Sequence, residues 1–208
     1  MATKIKTPMG ELKYVFITGE GRNQAMPGED ARMQFVASLE LTKDSKEHKA
    51  LLAEIDKEWV AYKEKNGLKP AQQPKTNGIK PVMDKETGAE TDKVLVTFKT
   101  DTKWRDGKPQ VVKVYANQLD ANGKPYAADI TDKVQNAQWS IGSGSTGIIH
   151  GSASGNNVGG AHKVTLYLTA VQLAKLIKYE GTAIELDDIE GDIIGFDDDE
   201  VDTEGPEL

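Results

Sequence analysis

The sequence predicts a small Greek-key β-barrel with one inserted helix and a disordered acidic tail. Three observations lead there. Short apolar/polar alternating segments are separated by turn signals, one long stretch has helical periodicity, and the charge changes sign abruptly near residue 180. Short strands with long excursions favour a closed antiparallel barrel over a βαβ protein.

Lys13–Thr18 and Arg32–Thr42 read as the first strands. In the second, Met33, Phe35, Ala37, Leu39 and Leu41 alternate with Gln34, Val36, Ser38 and Glu40, the period of a half-buried strand. Gly19–Asp30, with Gly19, Gly21, Pro27 and Gly28, is punctuated as a loop. From Asp44 to Lys65 the spacing changes. Leu51, Leu52, Ile55, Trp59 and Tyr62 fall on one helical face, with Asp44 or Ser45 as N-cap and Asn66–Gly67 as the stop. Trp59 and Tyr62 are therefore expected in the core. Leu68–Ala89, holding Pro70, Pro74, Pro81, Gly78 and Gly88, reads as an irregular exposed linker.

Strands resume at Lys93–Thr100 and Gln110–Gln118, joined by a turn at Asp106–Gly107. A second turn centres on Asn122–Gly123. Gly142–Gly160 contains seven Gly and reads as a flexible strand edge and hairpin loop. Thr165–Val171 is the last strand, with a short extension through Leu173–Tyr179. At least five strands and one helix result.

The charge divides the chain. Residues 180–208 hold 13 acids and no Lys or Arg, while the whole protein has 33 acids, 26 Lys and Arg and a net charge of −7. Residues 1–179 thus carry a net +6. Self-repulsion and sparse apolar content keep such a tail solvated, and a basic body attracts polyanions. A tethered polyanion competes for the same surface.

Several chemistries are disfavoured. Cysteine is absent, which removes disulfides, thiolate metal sites and cysteine nucleophiles. His48, His150 and His162 have no metal-ligand spacing, and His150 and His162 read as strand-surface residues. No apolar run reaches membrane-spanning length, and Lys4 and Lys6 are not followed by the apolar segment of a secretory signal. Gly142–Gly147 lacks the Lys–Ser/Thr ending of a P-loop, although the N–H groups of Gly142, Ser143, Gly144 and Ser145 could approach phosphates. No catalytic group, metal or cofactor is expected.

The densest basic–aromatic interleaving is Phe98, Lys99, Lys103, Trp104, Arg105, Lys108, Lys113 and Tyr115. Cations neutralise phosphates and aromatic faces stack on bases whatever their identity, so this set is the predicted nucleic-acid-binding site. Trp104, flanked by Lys103 and Arg105 in a polar turn, is the principal stacking candidate, followed by Tyr115 and Phe98.

A short opening strand at an I-x-T segment (Ile5–Thr7), one long helix on a barrel, the Gly142–Ser145 entry to a late strand, Gly159–Leu168 running into Thr169–Leu173, and the acidic end together resemble a known family. It is that of the single-stranded DNA-binding proteins of tailed bacteriophages, of the short-tailed coliphage type. The likeness spans nearly the whole chain and is strongest from Trp139 onward. It implies a five-stranded OB-fold over residues 1–179 that coats single-stranded DNA in replication and recombination, in the cytoplasm of an infected bacterium. It also implies that the tail, through Asp187, Asp188, Phe196, Asp197, Asp198, Asp199 and Glu200, contacts polymerase and helicase–primase partners. The alternatives are a general nucleic-acid binder that holds duplex or promotes annealing, a metal-dependent nuclease, and a structural phage protein. The nuclease needs converging carboxylates, whereas the acids of the body are scattered.

Overall fold

The computed structural model describes residues 2–25 and 30–180. The predicted tail, with Asp187, Asp188, Phe196, Asp197, Asp198, Asp199 and Glu200, lies outside the described residues except for Glu180.

The elements run β1 (Thr3–Lys6), β2 (Gly10–Phe16), β3 (Arg22–Asn23), β4 (Met33–Thr42), α1 (Lys46–Lys65), β5 (Ile79–Met83), β6 (Glu90–Asp101) and β7 (Lys113–Leu119). They continue with β8 (Pro125–Asp129), α2 (Thr131–Gln135), β9 (Ser140–Ile141), β10 (Thr146–Val158), β11 (Ala161–Lys175) and β12 (Lys178–Tyr179). Five strands close on themselves. β2 pairs β4, β4 pairs β6, β6 meets β11 in parallel, β11 pairs β10, and β10 returns to β2. β1 is added outside β10, and the β7–β8 hairpin outside β11.

The barrel is filled from inside by one side of each strand: Leu12, Phe35, Ala37, Leu39, Val94, Val96, Phe98, Ile149, Val164, Leu166 and Leu168. The predicted alternation of β4 is present, but the strand is not half-buried. Gln34, Val36 and Ser38, on its other face, are covered as well, because the segment around Arg22–Ala25 and the chain near Gly78 stand over them.

Helix α1 starts where the Ser45 hydroxyl accepts from the His48 N–H at 3.1 Å, a cap worth about 1 kcal/mol. Leu51, Ile55 and Trp59 bury its apolar stripe against the barrel, and the Trp59 indole N–H donates to the Gln72 carbonyl at 3.0 Å. Glu58 fastens the helix to two strands, accepting from the Thr3 hydroxyl at 2.6 Å and the Gly155 N–H at 3.1 Å. His162, expected on a strand surface, packs against this helix with Nδ1 3.0 Å from the Tyr62 hydroxyl. His48 is buried and its Nδ1 accepts from the Asp44 N–H.

Four further expectations are corrected. The Gly-rich stretch is not a loop: its larger part is the 13-residue strand β10. Small residues are needed there because neighbours lie across the backbone. A Cβ on Gly151 would stand 2.8 Å from the Phe98 ring, and one on Gly155 2.3 Å from the Tyr62 ring. The linker Leu68–Ala89 is not wholly irregular. It contains β5, and before it the Lys75 N–H donates to the His162 carbonyl while the Val164 N–H donates to the Thr76 carbonyl. A second helix, α2, follows a local turn in which Asp129 accepts from the N–H and hydroxyl of Thr131; with five residues it is too short to show periodicity. The predicted strand Gln110–Gln118 begins at Lys113.

Candidate nucleic-acid interface

The outward faces of β4 and β6 form the floor of a groove of about 610 Å³. Alternation decides which side chains it presents. With Val96 and Phe98 turned into the barrel, Leu95, Thr97 and Lys99 must face out. They stand beside Ser38 and Val36 of β4, and the Ser38 and Thr97 hydroxyls are 3.0 Å apart. One wall is Tyr14, Arg22, Asn23, Gln24 and Ala25. The other is Thr76, Gly78 and Lys80 with Lys163–Leu166 of β11. The second wall is made by the supposed linker. Gly78 has φ +81°, and its carbonyl accepts from the Thr97 N–H at 2.9 Å.

Four cations converge here. Lys99 donates to the Gln24 side-chain oxygen at 2.8 Å. Its burial, and then the positive charges of Lys80, Arg32, Arg22 and Lys163, hold its ammonium pKa below the ordinary lysine value. Among the described residues, no carboxylate pairs with Arg22, Lys80, Lys99 or Lys163. Arg32, just outside, lies 3.5 Å from Asp101. Uncompensated positive charge over a half-buried floor creates a favourable potential for an incoming anion.

Aromatic rings border the same surface. β2 carries a bulge between Lys13 and Phe16, and within it Tyr14 has φ +51°. A non-glycine residue in this left-handed region costs of order 1–3 kcal/mol, and the bulge turns Tyr14 to the groove with 52% of its surface exposed. Phe16 supports the Arg22 guanidinium 5.2 Å above its ring. Tyr167 of β11 is exposed and is the bridge partner of Lys99.

The sequence-predicted residues separate into four places. Lys99 is in the groove. Lys103, Trp104, Arg105 and Lys108 occupy a tight turn closed by the Gly107 N–H donating to the Trp104 carbonyl at 2.9 Å. Trp104 is 58% exposed and borders a second cleft with Arg32, Met33 and Asp101, so Arg32 lies between the two. Lys108 is paired with Asp106 at 2.8 Å. Lys113 and Tyr115 lie away on β7, where Lys113 is paired with Asp129 at 3.2 Å. The hydroxyl and N–H of Thr131, then Lys113, pull the Asp129 carboxyl down to about 2. Phe98 is a correction: it is fully buried in the barrel against Gly151 and presents no face to a ligand.

Sequence reasoning missed Tyr14, Arg22, Lys80, Lys163 and Tyr167. Each is isolated in sequence and joins the others only through strand pairing. The polar series Gln34, Ser38 on β4 and Thr97, Lys99 on β6 was the available signal, since it marks one continuous outward face.

No protein-family model and no curated protein sequence matches the chain. Solved structures do match. Gp2.5, a single-stranded DNA-binding protein encoded by bacteriophage T7, superimposes with a TM-score of 0.52 at 17% identity, covering 94% of this chain and 100% of that one. The single-stranded DNA-binding protein from bacteriophage Enc34 in complex with ssDNA gives 0.52 at 14% identity, covering 86% and 90%. A C-terminal truncation of the Enc34 protein gives 0.51 at 15% identity, covering 85% and 88%. The barrel is an OB-fold, shared with these phage proteins. At such identities the likeness establishes fold. Within it, β2, β4, β6, β10 and β11 are the five OB-fold strands in chain order. The groove lies on the face of the second and third, between the loop that follows the first and the hairpin joining the fourth to the fifth.

Among the described residues, no three His, Asp or Glu side chains are placed to share a metal ion, and no helix is long and apolar enough to cross a membrane.

Proposed function

We propose that this protein binds single-stranded DNA without sequence preference and catalyses no reaction. The observation that carries this is the convergence of Arg22, Lys80, Lys99 and Lys163, without an acidic partner among the described residues, on an open groove bordered by Tyr14, with the exposed Tyr167 next to Lys99 on the adjoining strand. The cations hold successive phosphates and the rings stack on whichever bases lie over them. OB-folds bind oligonucleotides on the face of the second and third strands and on the loops beside it, which is where this groove lies. The two phage proteins of the same fold are single-stranded DNA-binding proteins, one of them solved with its DNA. The cellular role we assign is the coating of single strands during phage replication and recombination in the infected cell.

The acidic tail completes the proposal. Its 13 acids compete with DNA for the groove and, once displaced, recruit replication proteins such as polymerase or helicase–primase. A tether of this kind gives a millimolar-scale local concentration, enough for weak ionic contacts to matter.

Titration of fluorescent oligonucleotides, single-stranded and duplex, with and without Mg²⁺, tests the reading. It expects salt-sensitive, composition-independent binding of single strands, weaker binding of duplex and no cleavage. Equal affinity for duplex would replace it with general nucleic-acid binding, and Mg²⁺-dependent cleavage would replace it with a nuclease.

A further inference from the structure

Strand register extends the basic surface beyond the groove. Lys99 of β6 is the bridge partner of Tyr167 on β11, Tyr167 pairs with Ser152 on β10, and Ser152 pairs with Lys4 on β1. Directly paired residues share a face, so these four side chains form one row across four adjacent strands. The face is the outer one. Leu166 and Leu168, beside Tyr167, are buried in the barrel, as is Ile5, beside Lys4, whereas Tyr167 is 41% exposed and Lys4 and Lys6 are exposed. Three strand spacings separate Lys99 from Lys4, about 14 Å along the hydrogen-bonding direction.

The far end of the row is a shaped surface. A cleft of about 570 Å³ is lined by Lys4, Lys6, His150, Ser152 and Thr169. Lys6 pairs with His150, so the ammonium groups and the imidazole stand side by side. Among the described residues, neither lysine has a carboxylate partner. β1 is also firmly held. Ile5 is in the core, the Thr3 hydroxyl donates to Glu58, and the Thr7 hydroxyl accepts from the Ile149 N–H at 2.9 Å. Cations on a fixed strand lose less freedom on binding than cations on a loop.

We propose that a bound single strand leaves the groove at Lys99, crosses the Tyr167 ring and continues over β10 onto β1, where Lys4 and Lys6 hold its phosphates. This rests on the single-strand reading above. It assigns the amino-terminal strand a second segment of the binding track, and it assigns Tyr167 the role of a stacking step between the two segments.

The test is a length ladder. Oligothymidylates of about 4 to 16 nucleotides, the span of site sizes for one OB-fold, are titrated in increasing salt against four proteins. These are the wild type, Lys4→Gln/Lys6→Gln, Tyr167→Ala and the groove variant Lys80→Gln/Lys163→Gln, all matched for thermal unfolding. The expected result is that Lys4→Gln/Lys6→Gln binds the shortest oligomers as the wild type does. For the longest, it loses affinity and its log K–log salt slope falls by about 1.4, two phosphates at about 0.7 each. Tyr167→Ala should follow the same length dependence, while the groove variant weakens at every length. Wild-type binding by Lys4→Gln/Lys6→Gln at every length would overturn the extended track, and so would an equal loss at every length. If the wild type bound no oligomer at all, the single-strand reading itself would fall, a result distinct from either.

Discussion

Tyr167 and Lys99 face one another across the parallel bridge between the fifth and third OB-fold strands. They are 68 positions apart in sequence, and only barrel closure makes them neighbours on its outer face, where Lys99 lacks a carboxylate partner among the described residues. The groove depends on that closure, and so do its consequences.

Removing a groove cation should change affinity and salt dependence together. Lys99→Gln is expected to lower the slope of log K against log salt by about 0.7, the contribution of one phosphate on a single strand. Lys113→Gln should leave both unchanged, because the Lys113 ammonium on β7 is occupied by Asp129 of β8. Fluorescence titration at several salt concentrations reads the difference.

Tyr14 should behave as a binding residue that the fold tolerates under strain. Its positive φ is the conformation glycine adopts freely. Tyr14→Gly is therefore expected to keep or raise the unfolding temperature while weakening single-strand binding by roughly 1–3 kcal/mol, the value of one stacked base. A fall in unfolding temperature would instead mark Tyr14 as a packing residue.

Trp104→Ala should weaken binding by a similar amount, roughly 1–3 kcal/mol, for strands that reach the turn beyond Arg32. With more than half of its surface in solvent, its loss should change stability by no more than about 0.5 kcal/mol. Calorimetry and titration on one preparation separate the two effects.

Lys99 also predicts a pH dependence. Burial and neighbouring cations lower its pKa in the free protein, whereas a bound phosphate favours the charged form and raises it. Binding therefore takes up a proton as pH approaches the lowered value from below. Affinity is full below that pKa and declines as pH rises through it. Oligodeoxyadenylate, whose bases have no proton to lose in that range, should show this alkaline decline with the wild type and lose it with Lys99→Arg.

Much of this was legible in the sequence, for identifiable reasons. Leu51, Ile55 and Trp59 announce α1 because a helix writes its buried face at a local period. The alternation of β4 announces a strand, yet not that Gln34, Val36 and Ser38 are covered, because that cover comes from residues near positions 22 and 78. The site was harder. Lys103, Trp104 and Arg105 are neighbours in sequence and were found as a cluster, whereas Arg22, Lys80 and Lys163 are single residues in three unlike segments. Phe98 was misassigned because its neighbours on β6 alternate between core and groove, and a sequence alone does not say which parity faces in. Lys99 has the outward parity and Phe98 the inward one.

The wall formed by the Pro-rich segment gives a structural check. A Cβ on Gly78 would stand 2.7 Å from the Leu166 side chain, at a φ that disfavours any other residue. Gly78→Ala should cost about 1–3 kcal/mol of stability by chemical denaturation and loosen the Lys80 side of the groove. Gly107→Ala, also at positive φ but in open space, should cost less.

Lysine footprinting tests the central claim most directly. The protein is acylated with and without a saturating mixed-sequence single strand, and each lysine's modification is quantified by mass spectrometry. Lys80, Lys99 and Lys163 should be protected by the strand, while Lys113, paired on β7, should react equally in both samples. Protection of Lys113 with Lys80, Lys99 and Lys163 left reactive would contradict the groove as the binding site.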